Sequence, residues 1–259
     1  MMRRPLAALF LVLASLGPAM ASHEAALALY AEGRYAAAAA LARTLNTADG
    51  WALAARAELV VAAYLSDDDA AAQNALEAAI ADGGRALELA PGHMEGLLQS
   101  AIAIGYKARL THSTALAREA RALIDRAMAQ APGDAYALAV LGGWHGETVA
   151  VAGGFLAKLT TGADKQGFTS AFEAALVADP ANPAIRAYYG RLLLDIGGKD
   201  FTARAGEVLG EALALSPRDA FEAMMQDETR TLVAALESGD RKRLKATVKS
   251  LTPFAHGTG

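Results

Sequence analysis

The sequence predicts an all-α solenoid of about six antiparallel helical hairpins, on three observations. A proline closes an apolar-periodic, alanine-rich segment at Pro91, Pro132, Pro180 and Pro217, at intervals of about 40 residues, the range of helical-hairpin repeats. Each of these prolines is followed within two residues by Gly, Asp or Asn; proline cannot continue a helix and restricts the residue before it, so the chain must turn there. No segment keeps the two-residue alternation of a strand: Val60-Val61 and Leu192-Leu193-Leu194 sit inside longer helical patterns.

Composition supports a folded chain and narrows its chemistry. The 259 residues are 54% hydrophobic and 20% charged, too apolar for a disordered polymer. With no cysteine, disulfides, zinc ribbons, iron–sulfur clusters and thiol nucleophiles are excluded. A net charge of −4 argues against a nucleic-acid partner.

Residues 1–21 read as a cleaved secretory signal peptide: Arg3 and Arg4 lead, Leu6 to Leu16 is apolar, Gly17-Pro18 breaks the run, and Ala19-Met20-Ala21 supplies small residues for the peptidase. The apolar run falls short of the roughly 20 residues of a membrane span. A periplasmic location in a bacterium follows as the expectation, with no transmembrane segment after cleavage. The helical domain is expected over 22–252, and a disordered tail over 253–259.

The first members of the six pairs are read at 23–32, 50–65, 93–109, 134–158, 182–196 and 218–238. The second members are read at 35–46, 69–89, 113–130, 166–178, 200–215 and 241–251. The turn in the first pair is marked by Glu32-Gly33-Arg34-Tyr35, and Asp67-Asp68-Asp69 reads as a capping run that satisfies free amides at a helix start. Leu141-Gly142 and Tyr189-Gly190 follow Pro132 and Pro180 at matching distances, where a small residue lets paired helices approach. Gly197-Gly198 marks the next turn. Arg241, Lys242, Arg243, Lys245 and Lys249 form a solvated face that caps the end of the array.

With Ala38 after the Gly33 turn, these small motifs resemble the tetratricopeptide repeat and cover most of the chain. The resemblance implies a right-handed solenoid and a protein-interaction role. Residues 134–238, opening on Leu141-Gly142-Gly143-Trp144-His145-Gly146-Glu147, also resemble the repeat domain of the regulator of microtubule dynamics family and its bacterial relatives, which implies a domain architecture and nothing about microtubules. The chain is similar as well to the T-component of TRAP transporters, periplasmic, all-helical and tetratricopeptide-like, which implies association with hydrophobic ligands.

Motifs of catalysis and cofactor binding are missing. His23, His93, His112, His145 and His256 include no pair at helical metal-ligand spacing. His145 and Glu147 point in different directions on a helix, and His145 reads as a satisfied, partly buried side chain. Gly162 is followed by Ala163-Asp164-Lys165, which is not a phosphate loop. The expectation is a non-enzyme without cofactor or metal.

The glycines from Leu141 to Gly162 cost roughly 1 kcal/mol each inside a helix. Close helix packing is the preferred account; a groove approached by a ligand or partner backbone is the other. Counted from the prolines, the inner face carries Leu98, Ile102 and Tyr106, then Tyr136, Ala139, Gly143 and Glu147, then Ala187, Arg191 and Asp195. This mainly apolar and aromatic groove leads to the expectation of a non-catalytic protein–protein interaction module or scaffold in the cell envelope, holding another protein or peptide; the alternative is a carrier of a hydrophobic small molecule or lipid, accessory to a transporter. A carrier in particular requires an enclosed apolar cavity beside residues 134–158.

Overall fold

The computed structural model describes residues 18–254, with side chains from Ser22 onward. The expected leader lies outside the described residues except for its last four, and so do residues 255–259 of the expected tail. Thirteen α-helices and no strand occur among the described residues. They are α1 Pro18–Ala31, α2 Tyr35–Thr44, α3 Ala48–Val60, α4 Asp69–Leu89, α5 Met94–Thr111, α6 Thr114–Gln130, α7 Ala135–Ala152, α8 Gly154–Thr161, α9 Lys165–Ala178, α10 Pro183–Ile196, α11 Lys199–Ala214, α12 Ala220–Glu237 and α13 Arg241–Ser250. The hairpins pair α1 with α2, α3 with α4, α5 with α6, α7 with α9, α10 with α11 and α12 with α13.

The proline landmarks work through the residue two places on. His93, Asp134, Asn182 and Asp219 are the N-caps of α5, α7, α10 and α12, each accepting a hydrogen bond from an amide of the first turn. Each proline therefore stops one helix while its near neighbour starts the next. Asp68 caps α4 by accepting from the Ala71 amide at 2.8 Å, as the acidic run suggests.

Three boundaries differ from the sequence reading: the first is α1, expected from 23, which begins at Pro18, inside the expected leader. The helix expected over 134–158 ends at Ala152, because Gly153 has φ +75°, and the chain resumes as the short α8. The helix expected over 50–65 widens into a π-turn at Val61–Leu65, which carries Tyr64. Single π-turns within helices are common at functional sites.

Small residues decide the packing. A Cβ on Gly142 would lie 2.6 Å from the Phe172 ring, one on Gly146 2.8 Å from the Phe168 ring, and one on Gly190 2.5 Å from Leu209. The glycines of α7 are thus seats for the rings of α9, in line with the close-packing expectation. Phe168, Phe172, Tyr189, Leu192 and Leu209 form the core of the C-terminal hairpins. At the other end, alanines 26, 38, 39, 42, 54 and 57 pack around Tyr30 and Tyr35.

The array curls on itself. Helices α3, α5, α7, α10 and α12 lie side by side as the inner wall, and α12 reaches back to α1. Gly33 faces Ala220 so closely that an added Cβ would lie 3.0 Å from the alanine methyl. Phe221 and Met224 join the core of the first hairpins, with the Phe221 ring 5.9 Å from Tyr64. After α13 the chain turns inward: Pro253 and Phe254 are buried, and Phe254 packs edge-on against Tyr106 at 5.2 Å. The cations of α13 are exposed, while Val248 on its other face is buried.

Candidate functional site

The curled inner wall surrounds a cavity of about 720 Å³ that stays partly open to solvent, not the fully enclosed one a carrier was expected to have. Of the residues counted from the prolines, Ile102, Tyr106, Tyr136, Ala139, Gly143 and Glu147 line it. Leu98 does not: it is 1% exposed and packs inside the hairpin with Leu97, Ala127 and Ala137. Arg191 lies behind the lining at 2% exposure, Ala187 is buried at 3%, and Asp195 is exposed with a carboxylate oxygen 4.0 Å from Arg191. These three sit on α10, where the inward face begins with Ala184 and Tyr188 instead.

Tyr30, Arg56, Tyr64, Arg109, Phe221 and Met225 also line the cavity and were not foreseen. One signal was available for Arg56, a cation inside the alanine-rich run Ala52-Leu53-Ala54-Ala55-Arg56-Ala57. Phe221 and Met225 arrive through the closure of α12 on α1, which no local pattern encodes.

Two polar nodes interrupt the apolar wall. At one, the Arg56 guanidinium carbon lies 4.7 Å from the centre of the Tyr30 ring and 6.0 Å from that of Tyr136. Gln99 donates from Nε2 to the Tyr136 hydroxyl at 2.9 Å and to Glu95 Oε1 at 2.8 Å. At the other node, Glu147 accepts from Arg191 Nη2 at 2.6 Å, from the Tyr188 hydroxyl at 3.2 Å, and from Arg109. Burial, then the nearby Arg191, lowers the pKa of Arg109. Two cations and one carboxylate held this way satisfy one another and form a structural strut.

Glu228 on α12 is the titrating group of the wall. Burial pushes its pKa up to about 7, against the opposing pull of Arg191, and Tyr64 and Tyr106 feel its charge. A carboxyl whose folded pKa exceeds its unfolded value lends stability below about pH 4.5 that is lost as pH rises through 7. Glu228→Gln is expected to raise stability over the wild type by on the order of 1 kcal/mol at pH 8 and by nothing at pH 4. Thermal melts of both proteins at the two pH values check this.

His145 accepts from the Asp164 amide at Nδ1, 3.1 Å away. Burial, then the charge of Arg121, lowers its pKa, so it is a neutral tie between α7 and the start of α9. Among the described residues no group of side chains could hold a metal ion, and no helix is long and apolar enough to cross a membrane. On the outer surface, α8 presents Phe155 at 84% and Leu159 at 71% exposure, next to the cavity-lining Leu156.

No protein-family model matches the chain. No curated protein is significantly similar to it in sequence. Its structure is similar to that of a thermophilic tetratricopeptide-repeat protein from Thermus thermophilus, with a TM-score of 0.59 at 17% identity, covering 82% of this chain and 98% of that one. The hairpin pairing, the small-residue seats and this likeness together show a tetratricopeptide-type helical-repeat fold.

Proposed function

We propose that this chain is a non-catalytic carrier of a small, largely apolar molecule, exported to the cell envelope and holding its cargo in the central cavity. One observation carries the reading: the inner wall, curled until α12 meets α1, surrounds a partly open cavity of about 720 Å³ lined mostly by aliphatic and aromatic side chains. That volume lies within the roughly 300–1,000 Å³ of small-molecule sites.

The test is native mass spectrometry of the protein purified gently from the envelope fraction, with solvent extraction of anything that travels with it. An extractable small molecule is expected on the wild type and absent from Ile102→Trp, which fills the cavity while circular dichroism stays unchanged. An equal load on both proteins would place the cargo elsewhere and defeat the reading.

A second reading, a protein-docking module, is favoured by the exposed Phe155 and Leu159 of α8 and by the use commonly made of such repeats. A co-purifying polypeptide released by Phe155→Ser with Leu159→Ser, from a protein whose cavity is empty, would support it over the first.

A further inference from the structure

We propose that the cavity takes an amphiphile with a carboxylate head, the head seated on Arg56 and the apolar body running along the inner wall; this rests on the carrier reading above.

The argument begins with the way Arg56 is held. Its guanidinium is covered by Tyr30 at 4.7 Å and approached by the Tyr136 ring at 6.0 Å. Aromatic rings attract a guanidinium through its face, which leaves the planar fork of N–H groups to donate at the edge. The matching acceptor for that fork is a carboxylate taken up by two parallel hydrogen bonds. Arg56 also donates to the Tyr30 hydroxyl, but the described residues supply no carboxylate within hydrogen-bond distance. The only ion pair Arg56 makes among the described residues is with Glu95, at 3.9 Å, beyond hydrogen-bond distance. Glu95 is already engaged by Gln99.

Glu228 lies outside the lining, and the acids that do line the cavity are engaged. Asp219 caps α12, Glu222 is gripped by Arg218, and Glu147 occupies both Arg109 and Arg191. Among the lining arginines, Arg56 is therefore the one without a carboxylate within hydrogen-bond distance, and its side chain keeps 37% exposure. The same lining includes the apolar side chains of Leu59, Ile102, Val140 and Met225. An arginine without a close carboxylate, set in a mainly apolar lining, suits a monocarboxylate with an apolar body better than a neutral hydrocarbon or a peptide, whose backbone would need hydrogen-bond partners along its length.

Dodecanoate and dodecan-1-ol, the same chain with and without the charge, provide the test. Binding to the full-length protein is followed by titration calorimetry and by the fluorescence of Trp144, which lines the cavity. Wild type is expected to bind dodecanoate at least tenfold more tightly than the alcohol. Arg56→Gln should weaken dodecanoate at least tenfold and leave the alcohol within twofold; Arg56→Lys, which keeps the charge but not the fork, should fall between. Equal affinities for acid and alcohol on the wild type overturn the head-group assignment, while the cavity remains a binding site. An equal loss of both ligands in Arg56→Gln also overturns it, since Arg56 would then merely shape the wall. If neither compound binds the wild type, the assignment fails and the carrier reading fails with it for chains of this class.

Discussion

Glu147→Ala is expected to cost about 3–5 kcal/mol, the largest effect of any single substitution on the inner wall. Glu147 sits between Arg109 and Arg191 and also receives the Tyr188 hydroxyl. Arg191 is 2% exposed and its guanidinium carbon lies 5.2 Å from the centre of the Tyr188 ring. Without the carboxylate, two guanidiniums face each other in a space water enters poorly. The remaining partners are feeble: Asp195 at 4.0 Å from Arg191, and Thr252 Oγ1, which accepts from Arg191 Nη1 at 3.4 Å. Urea denaturation gives the number. Combining Glu147→Ala with Arg191→Met should cost less than Glu147→Ala alone, because the second change removes a stranded cation. A loss under about 1 kcal/mol for the single variant, the scale of a solvated pair, would mean the strut is open to water and the account of it wrong.

The second large effect is a reversal of sign among glycines. Replacing a helix-interior glycine by alanine ordinarily stabilises by about 0.5–1 kcal/mol. Gly84 in α4 and Gly210 in α11 have nothing within 4 Å of an added Cβ and should behave so. Gly146 should do the opposite and lose about 1–3 kcal/mol. A methyl there meets Phe168 at 2.8 Å and Leu192 at 3.0 Å, and both side chains are fully buried with nowhere to move. The paired melting temperatures of Gly146→Ala and Gly210→Ala check the contrast; two shifts of the same sign would refute the seat-for-a-ring explanation of α7.

The fold was legible where its signals are local. Pro132 and Asp134 stop one helix and start the next within three residues, and such pairs set the hairpin register along most of the chain. Gly153 counts in the sequence as one more costly glycine inside a long helix, not as its end, because apolar residues continue on both sides, from Val151 to Leu156, and a positive φ leaves no mark in hydrophobic periodicity. The same register brought Ile102, Tyr106, Tyr136 and Glu147 to the cavity. It misplaced Leu98 and Arg191, since a residue one turn along, or on a helix rotated by its neighbours, sinks into the hairpin core. Tyr30 and Arg56 lie ahead of the first of these prolines, so no landmark fixed their face. Phe221 reaches Tyr64 across more than half the chain, and such a contact follows from accumulated curvature, which no short stretch of sequence records.

That meeting of α12 with the turn between α1 and α2 changes what kind of object the array is. An open stack of repeats has two ends, melts inward from them, and in evolution gains or sheds a unit without disturbing the others. Here the last stack rests on the first, through a glycine and an alanine too small to hold them apart. The number of hairpins becomes a condition of closure, as the number of staves is for a cask. One hairpin fewer would leave a gap and one more would collide, so length variation in this architecture is confined to the outward turns.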